Sequence, residues 1–122
     1  MILADTSVWI DHLRSKDLTL STLLERSEII THADIIGEIA LGSLRQRELI
    51  LESLDNLPRL EKARDQEVRH LIDREKLFGR GIGYVDAQLI AATRLKPGTK
   101  IWTRDKRFKQ IAEELGLAAS EA

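Results

Sequence analysis

The chain has 122 residues, of which 43% are hydrophobic and 32% charged, and its net charge is −1. That is the length and composition of one globular domain, expected to span 1–122, and not of a disordered or membrane-embedded chain. No cysteine is present, which excludes a disulfide framework and a thiolate metal site.

Met1 to Ala4 are continuously apolar, as in a central parallel strand covered on both faces. Thr6 and Ser7 can cap a helix running to about Arg14, with Val8, Trp9, His12 and Leu13 at helical spacing. A second short helix is expected over Leu18 to Arg26, and a strand over Glu28 to Thr31. Helices follow over Asp34 to Leu41 and Ser43 to Leu54. The segment 57–60 reads as a short strand, with Pro58 suited to a sheet edge. A long polar helix is expected over Glu61 to Phe78, and Gly79, Gly81 and Gly83 make a turn. Tyr84 to Leu95 is an apolar helix, Lys100 to Thr103 a strand, and Arg104 to Leu115 the last helix, with Gly116 just past its end. Ala118 and Ala119 are placed on a final edge strand.

No apolar run reaches the about 20 residues that span a membrane, and no basic segment precedes the short apolar start. Neither a membrane span nor a signal peptide is expected, and the expected location is cytoplasmic.

Strands alternating with helices predict an α/β fold in three layers, a small parallel sheet flanked by helices. Right-handed crossovers put every strand's C-terminal end on one edge, where ligands of such sheets bind. Asp5 ends the first strand of "MILADTS". In "KIWTRDKRF", Asp105 follows a strand that ends at Thr103. One edge therefore receives two carboxylates from opposite ends of the chain. Each could instead be an ordinary helix N-cap.

The helices add two more. In "ADIIGEIALG", Glu38 lies at the margin of the stripe made by Ile35, Ile36, Ile39 and Ala40, where a surface role is the simpler reading. In "GIGYVDAQLIAAT", Asp86 shares a helical face with Leu89, Ile90 and Thr93, an apolar setting for a charge. Two carboxylates about 4 Å apart repel by roughly 4 kcal/mol at an effective dielectric near 20. Four together need protons or cations. An all-oxygen set favours a hard ion, Mg²⁺ or Mn²⁺, which suits phosphodiester hydrolysis.

The stretches "ILADTSVWIDHLR", "IIGEIALG", "GIGYVDAQLIAAT" and "IWTRDKRF" together resemble the PIN domain, specifically the VapC-type toxins of toxin–antitoxin pairs. The resemblance spans nearly the whole chain and is weakest between Leu54 and Gly79. It implies a metal-dependent ribonuclease acting on tRNA or ribosomal RNA, with Asp5, Glu38, Asp86 and Asp105 around one or two divalent ions. Thr6 and Thr103 match hydroxyl positions that support the cluster. It also implies a VapB-type antitoxin, a homodimer and higher toxin–antitoxin assemblies.

RNA needs cations for its backbone. Setting the four acids aside turns the net charge of −1 into a remainder of +3. Arg104, Lys106, Arg107 and Lys109 surround Asp105, while Lys76 and Arg80 precede Asp86. Arg80, Arg104 and Lys106 are the expected RNA contacts. His12, His32 and His70 lack ligand spacing and are read as surface or supporting residues. Trp9 and Trp102 are read as core anchors. Leu18, Leu20, Leu23, Leu24, Leu44, Leu51 and Leu54 exceed a small core's needs, and part of them could form an antitoxin groove or dimer face. Two rival functions remain open at this level. One is a haloacid dehalogenase-like phosphatase with Asp5 as nucleophile, although Ser7 stands where that chemistry expects a second Asp. The other is a non-catalytic RNA- or protein-binding module.

Overall fold

The computed structural model describes residues 1–120. Three parallel strands, β1 (Ile2–Ala4), β2 (Ile29–Ile30) and β3 (Lys100–Trp102), form a sheet in the order β2-β1-β3. The register pairs Leu3 with Ile30 on one side and with Ile101 on the other. β1 is buried along its whole length, as its unbroken apolar run requires. Seven helices complete the described residues: α1 (Thr6–Arg14), α2 (Leu18–Glu25), α3 (Ala33–Ala40), α4 (Arg47–Asp55), α5 (Asp65–Arg74), α6 (Tyr84–Arg94) and α7 (Lys106–Glu114). This is the expected α/β architecture.

Both expected edge strands shrink to single bridges. Thr31 pairs with Arg59 beyond β2, through Thr31 N to Pro58 O at 2.9 Å and Leu60 N to Thr31 O at 2.8 Å. Ala118 pairs with Ile101 beyond β3. Pro58 has no N–H to donate, which limits the first to a short edge contact.

The helix expected over 61–78 is shorter than its polar pattern suggested. It begins only at Asp65, because Gln88 on α6 takes both backbone groups of Ala63. Its Oε1 accepts from Ala63 N at 2.7 Å and its Nε2 donates to Ala63 O at 3.0 Å. It ends at Arg74, because Lys76 turns to φ 53° and Leu77 N returns to Ile72 O at 2.9 Å. The same six-to-one closure ends α7 at Gly116 (φ 72°), as expected, and α2 at Ser27 (φ 56°). α4 starts at Arg47 rather than Ser43, after Gln46 takes a left-handed backbone. α7 starts at Lys106, after its cap Asp105.

α6 is the central helix. Ala87 to Thr93 are all buried, so it is covered on every side and carries almost no polar face there. Gln88 is the exception, and His32 completes its network. His32 is fully buried at the N-cap of α3. Its Nδ1 accepts from Asp34 N at 2.9 Å, and its Nε2 faces Gln88 Oε1 at 3.3 Å. An N–H on Nε2 satisfies both contacts, so the ring is neutral, and burial lowers its pKa. Gln88→Leu should therefore cost about 2–4 kcal/mol in urea unfolding, since two buried backbone groups lose their partners at once. A wild-type midpoint would show the network to be dispensable.

Candidate active site

The C-terminal strand ends deliver their residues to one edge. Asp5 follows β1 and is buried at 7% exposure. It occupies the N-cap position of α1, yet its side chain makes no capping bond. Instead Asp5 Oδ2 accepts from Thr103 Oγ1 at 2.8 Å and from Ser7 Oγ at 3.2 Å. Thr103 Oγ1 in turn accepts from Asp105 N at 3.1 Å, and Ser7 Oγ accepts from Arg104 N at 3.1 Å. Every hydroxyl thus has one donor and one acceptor role, and the two ends of the chain are tied into a single network. The N-cap reading fails for Asp5 and holds for Asp105, whose Oδ1 accepts from Phe108 N at 2.9 Å. Ser7 is a further support of Asp5 that its place in a helix-capping pair does not reveal.

Glu38 is exposed on α3, and its Oε1 accepts from Thr6 Oγ1 at 2.6 Å. The Thr6 and Thr103 hydroxyls thus each hold one acid. Asp86 is half-buried in the first turn of α6, where its Oδ2 accepts from Gly83 N at 3.2 Å. That bond and the helix N-terminus favour its ionised form. Burial opposes it more strongly, and the charges of Asp5, Asp105 and Glu38 add to the burial. Together they push Asp86 up from 3.8 to about 6. The other three acids therefore act on Asp86 through one shared field.

None of the four acids pairs with a Lys or Arg among the described residues; the ion pairs lie elsewhere. As the side chains stand, no three Asp, Glu or His residues among those described lie close enough to hold one ion. The donors still fit a hard divalent cation in kind: oxygen only, mutually repelling, one of them held partly protonated, and no cation of the protein's own among them. Closing onto an ion asks for side-chain movement, which the exposed Glu38 and Asp105 have room to make.

The expected RNA contacts differ in what they are free to do. Arg80 is engaged bidentately by Glu114, at 2.9 and 2.7 Å. Arg104 bridges Asp11 and Asp17 and lies 5.7 Å from the Trp102 ring centroid. Lys106 is exposed and, among the described residues, has no acidic partner. Arg107 shares that freedom and lies across Gly81, where a Cβ would come within 2.7 Å of Arg107 Cδ. Of the histidines, His12 accepts from Asp17 N at 3.0 Å and stands edge-on to Trp9. Trp9 and Trp102 are both buried core residues.

The PIN-domain family model matches residues 2–114. Two relatives, each named Ribonuclease VapC32, come from Mycobacterium tuberculosis strains CDC 1551 / Oshkosh and ATCC 25618 / H37Rv. Each is 46% identical over 121 residues, covering 99% of this chain and 98% of its own. Ribonucleases of this kind are metal-dependent as a class and are paired with VapB-type antitoxins. No helix among the described residues is long and apolar enough to cross a membrane. By family match, identity and full-length coverage, the chain belongs to the PIN-domain family, among the VapC-type ribonucleases.

Proposed function

We propose that this chain is the toxin of a type II toxin–antitoxin pair, an Mg²⁺-dependent endoribonuclease that hydrolyses phosphodiester bonds in tRNA or ribosomal RNA in the cytoplasm. The observation that carries the site is Asp86. It is a half-buried carboxyl raised to about 6 by burial first and by the charges of three other acids in addition, none of the four neutralised by a Lys or Arg among the described residues. Asp5, Asp86 and Asp105 would hold Mg²⁺, or Mn²⁺, and Glu38 would complete the set. The bound ion supplies Lewis-acid polarisation of a phosphate oxygen and a water of lowered pKa.

The chain's own residues do the positioning. Thr103 and Ser7 fix one oxygen of Asp5, and Gly83 N fixes one of Asp86. Glu38 Oε1 is held by Thr6, and Oε2 of this exposed residue would take up a proton. No side-chain nucleophile is required. Ser7 lies where a phosphatase of the dehalogenase type expects an acid, and it serves Asp5 as a hydrogen-bond donor instead.

The antitoxin is placed on the α1–α2–α4 face. Leu20, Leu23 and Leu54 are core, whereas Leu24, Leu44 and Leu51 are partly buried and Leu18 is 75% exposed. A cleft of about 310 Å³ lies among Trp9, Leu13, Leu24, Leu49, Ile50 and Leu57. A second of about 500 Å³ shares Leu13 and Ile50 with it. The remaining part of this apolar surface is assigned to homodimer contacts and larger toxin–antitoxin assemblies.

The test is cleavage of purified tRNA and ribosomal RNA with chelator, with Mg²⁺ and with Mn²⁺, followed by mapping of the cut ends. Cleavage restored by either metal at a small number of sites is expected. Metal-independent cleavage, or none at any metal concentration, would remove the assignment.

A further inference from the structure

The chain has five aromatic residues. Trp9, Trp102 and Phe108 are buried, whereas Phe78 and Tyr84 are 64% and 50% exposed. These two flank the glycine loop 79–83, and with Gly79, Ile82, Gly83 and Ala87 they line a cleft of about 200 Å³. Gly83 belongs to two places at once: it lines this cleft, and its N–H holds Asp86 Oδ2 at 3.2 Å. The cleft and the acid cluster therefore share a wall. The Tyr84 hydroxyl donates to Asp65 Oδ1 at 3.2 Å, which anchors the tip of the ring. On the same loop, Gly81 (φ 81°) carries the side chain of Arg107, an exposed guanidinium with no acidic partner among the described residues.

We infer that the 78–84 loop is the base-stacking subsite of this enzyme: one unpaired RNA base beside the scissile phosphate stacks on Phe78 and Tyr84, and a phosphate of the same strand pairs with Arg107. The inference rests on the ribonuclease reading above. Two exposed rings beside a cation are what a single strand needs, since bases stack on aromatic faces and phosphates seek guanidinium. A protein segment would also find an apolar cleft here, but it would have no use for an unpaired cation next to four acids that already favour basic side chains. The glycines fit the role. Gly81 leaves room for Arg107, and Gly83 lets the strand approach the N–H that orients Asp86.

The experiment uses the full chain and a single-stranded RNA 12-mer pool randomised at its central positions. Wild-type cleavage with Mg²⁺ is sequenced for nucleotide preference at the cut. Binding is measured in the Asp5→Asn background to prevent cleavage. Phe78→Ala and Tyr84→Ala should each weaken binding by about fivefold or more, the range of one lost stacking contact. They should also flatten the modest base preference that stacking strength gives beside the cut, while melting temperatures stay within a few degrees of the parent, because both rings are at least half exposed and Tyr84 loses only one exposed hydrogen bond to Asp65. Phe78→Tyr should restore both readouts. Arg107→Gln should weaken all sequences alike and lower the salt slope of binding by about one unit. If the wild type cuts RNA and the aromatic variants bind and select as it does, the subsite is overturned while the ribonuclease reading stands. If those variants lose only antitoxin binding, the loop belongs to the protein partner and the inference is wrong. If the wild type cuts no RNA with any metal, both readings fall together.

Discussion

Asp86→Asn should abolish RNA cleavage, by at least about a thousandfold, and raise the melting temperature of the metal-free protein. The loss would follow from removing a charged ligand of the proposed ion, which stabilises developing negative charge; three decades correspond to about 4 kcal/mol of transition-state energy. The gain follows from linkage. Asp86 titrates at about 6 when folded, against a reference of 3.8. Between those values the folded protein binds a proton that the unfolded chain releases, so stability falls as pH rises through this window. Above pH 6 the full penalty applies, up to about 3 kcal/mol at 1.36 kcal/mol per unit. Asparagine carries no such penalty and keeps an oxygen to accept from Gly83 N. In chelator, the variant should melt several degrees above wild type at pH 7.5 and near it at pH 4. Asp5→Asn should lose cleavage equally, and it keeps an acceptor for Thr103. A variant that melts clearly below wild type at pH 7.5 would show Asp86 to be a structural partner rather than a member of a repelling cluster.

The two strand-end acids were the legible part of the site. An apolar run broken by Asp5 and a strand followed by Asp105 could be read directly, because parallel strands must end on a common edge. Asp86 announced itself by sitting on an apolar helical face, and the raised pKa is the physical counterpart of that pattern. What could not be read was which hydrogen bonds each acid makes. Asp5 and Asp105 occupy the same N-cap position in sequence, yet only Asp105 caps, because Thr103 and Ser7 claim Asp5 from a segment 98 residues away in the case of Thr103. The start of α5 was hidden for the same reason. Glu61 to Arg64 carry helix-compatible residues, but the buried Gln88 holds Ala63 from another helix. The ion pairs that occupy Arg80 and Arg104 join residues 34, 87 and 93 positions apart, beyond the reach of any local pattern. Local propensity loses to such contacts wherever a buried polar group would otherwise go unsatisfied.

Inhibition by the antitoxin should weaken as Mg²⁺ or Mn²⁺ rises. Four carboxylates brought to one site, with no Lys or Arg paired to any of them among the described residues, would be a ready place for a guanidinium, which can grip two carboxylate oxygens at once. A basic residue on the antitoxin's C-terminal tail, led along the cleft by α1 and α2, would offset the acid–acid repulsion that adds to burial in raising Asp86 and occupy the oxygens an ion needs. Tail and metal then compete, and by linkage each lowers the other's affinity by the same factor. Kinetics with a tail peptide across a metal titration should show an apparent inhibition constant that climbs in proportion to metal once the site begins to fill. The bound complex should contain less metal than the free toxin. Asp86→Asn should weaken the peptide by about tenfold, the worth of one charge-assisted hydrogen bond at about 1.4 kcal/mol per decade. A tail peptide whose arginines are replaced by glutamine should lose the metal dependence and still bind the cleft. If inhibition is indifferent to metal and Asp86→Asn leaves the peptide's affinity unchanged, the tail acts by covering the RNA path and not through the acid cluster.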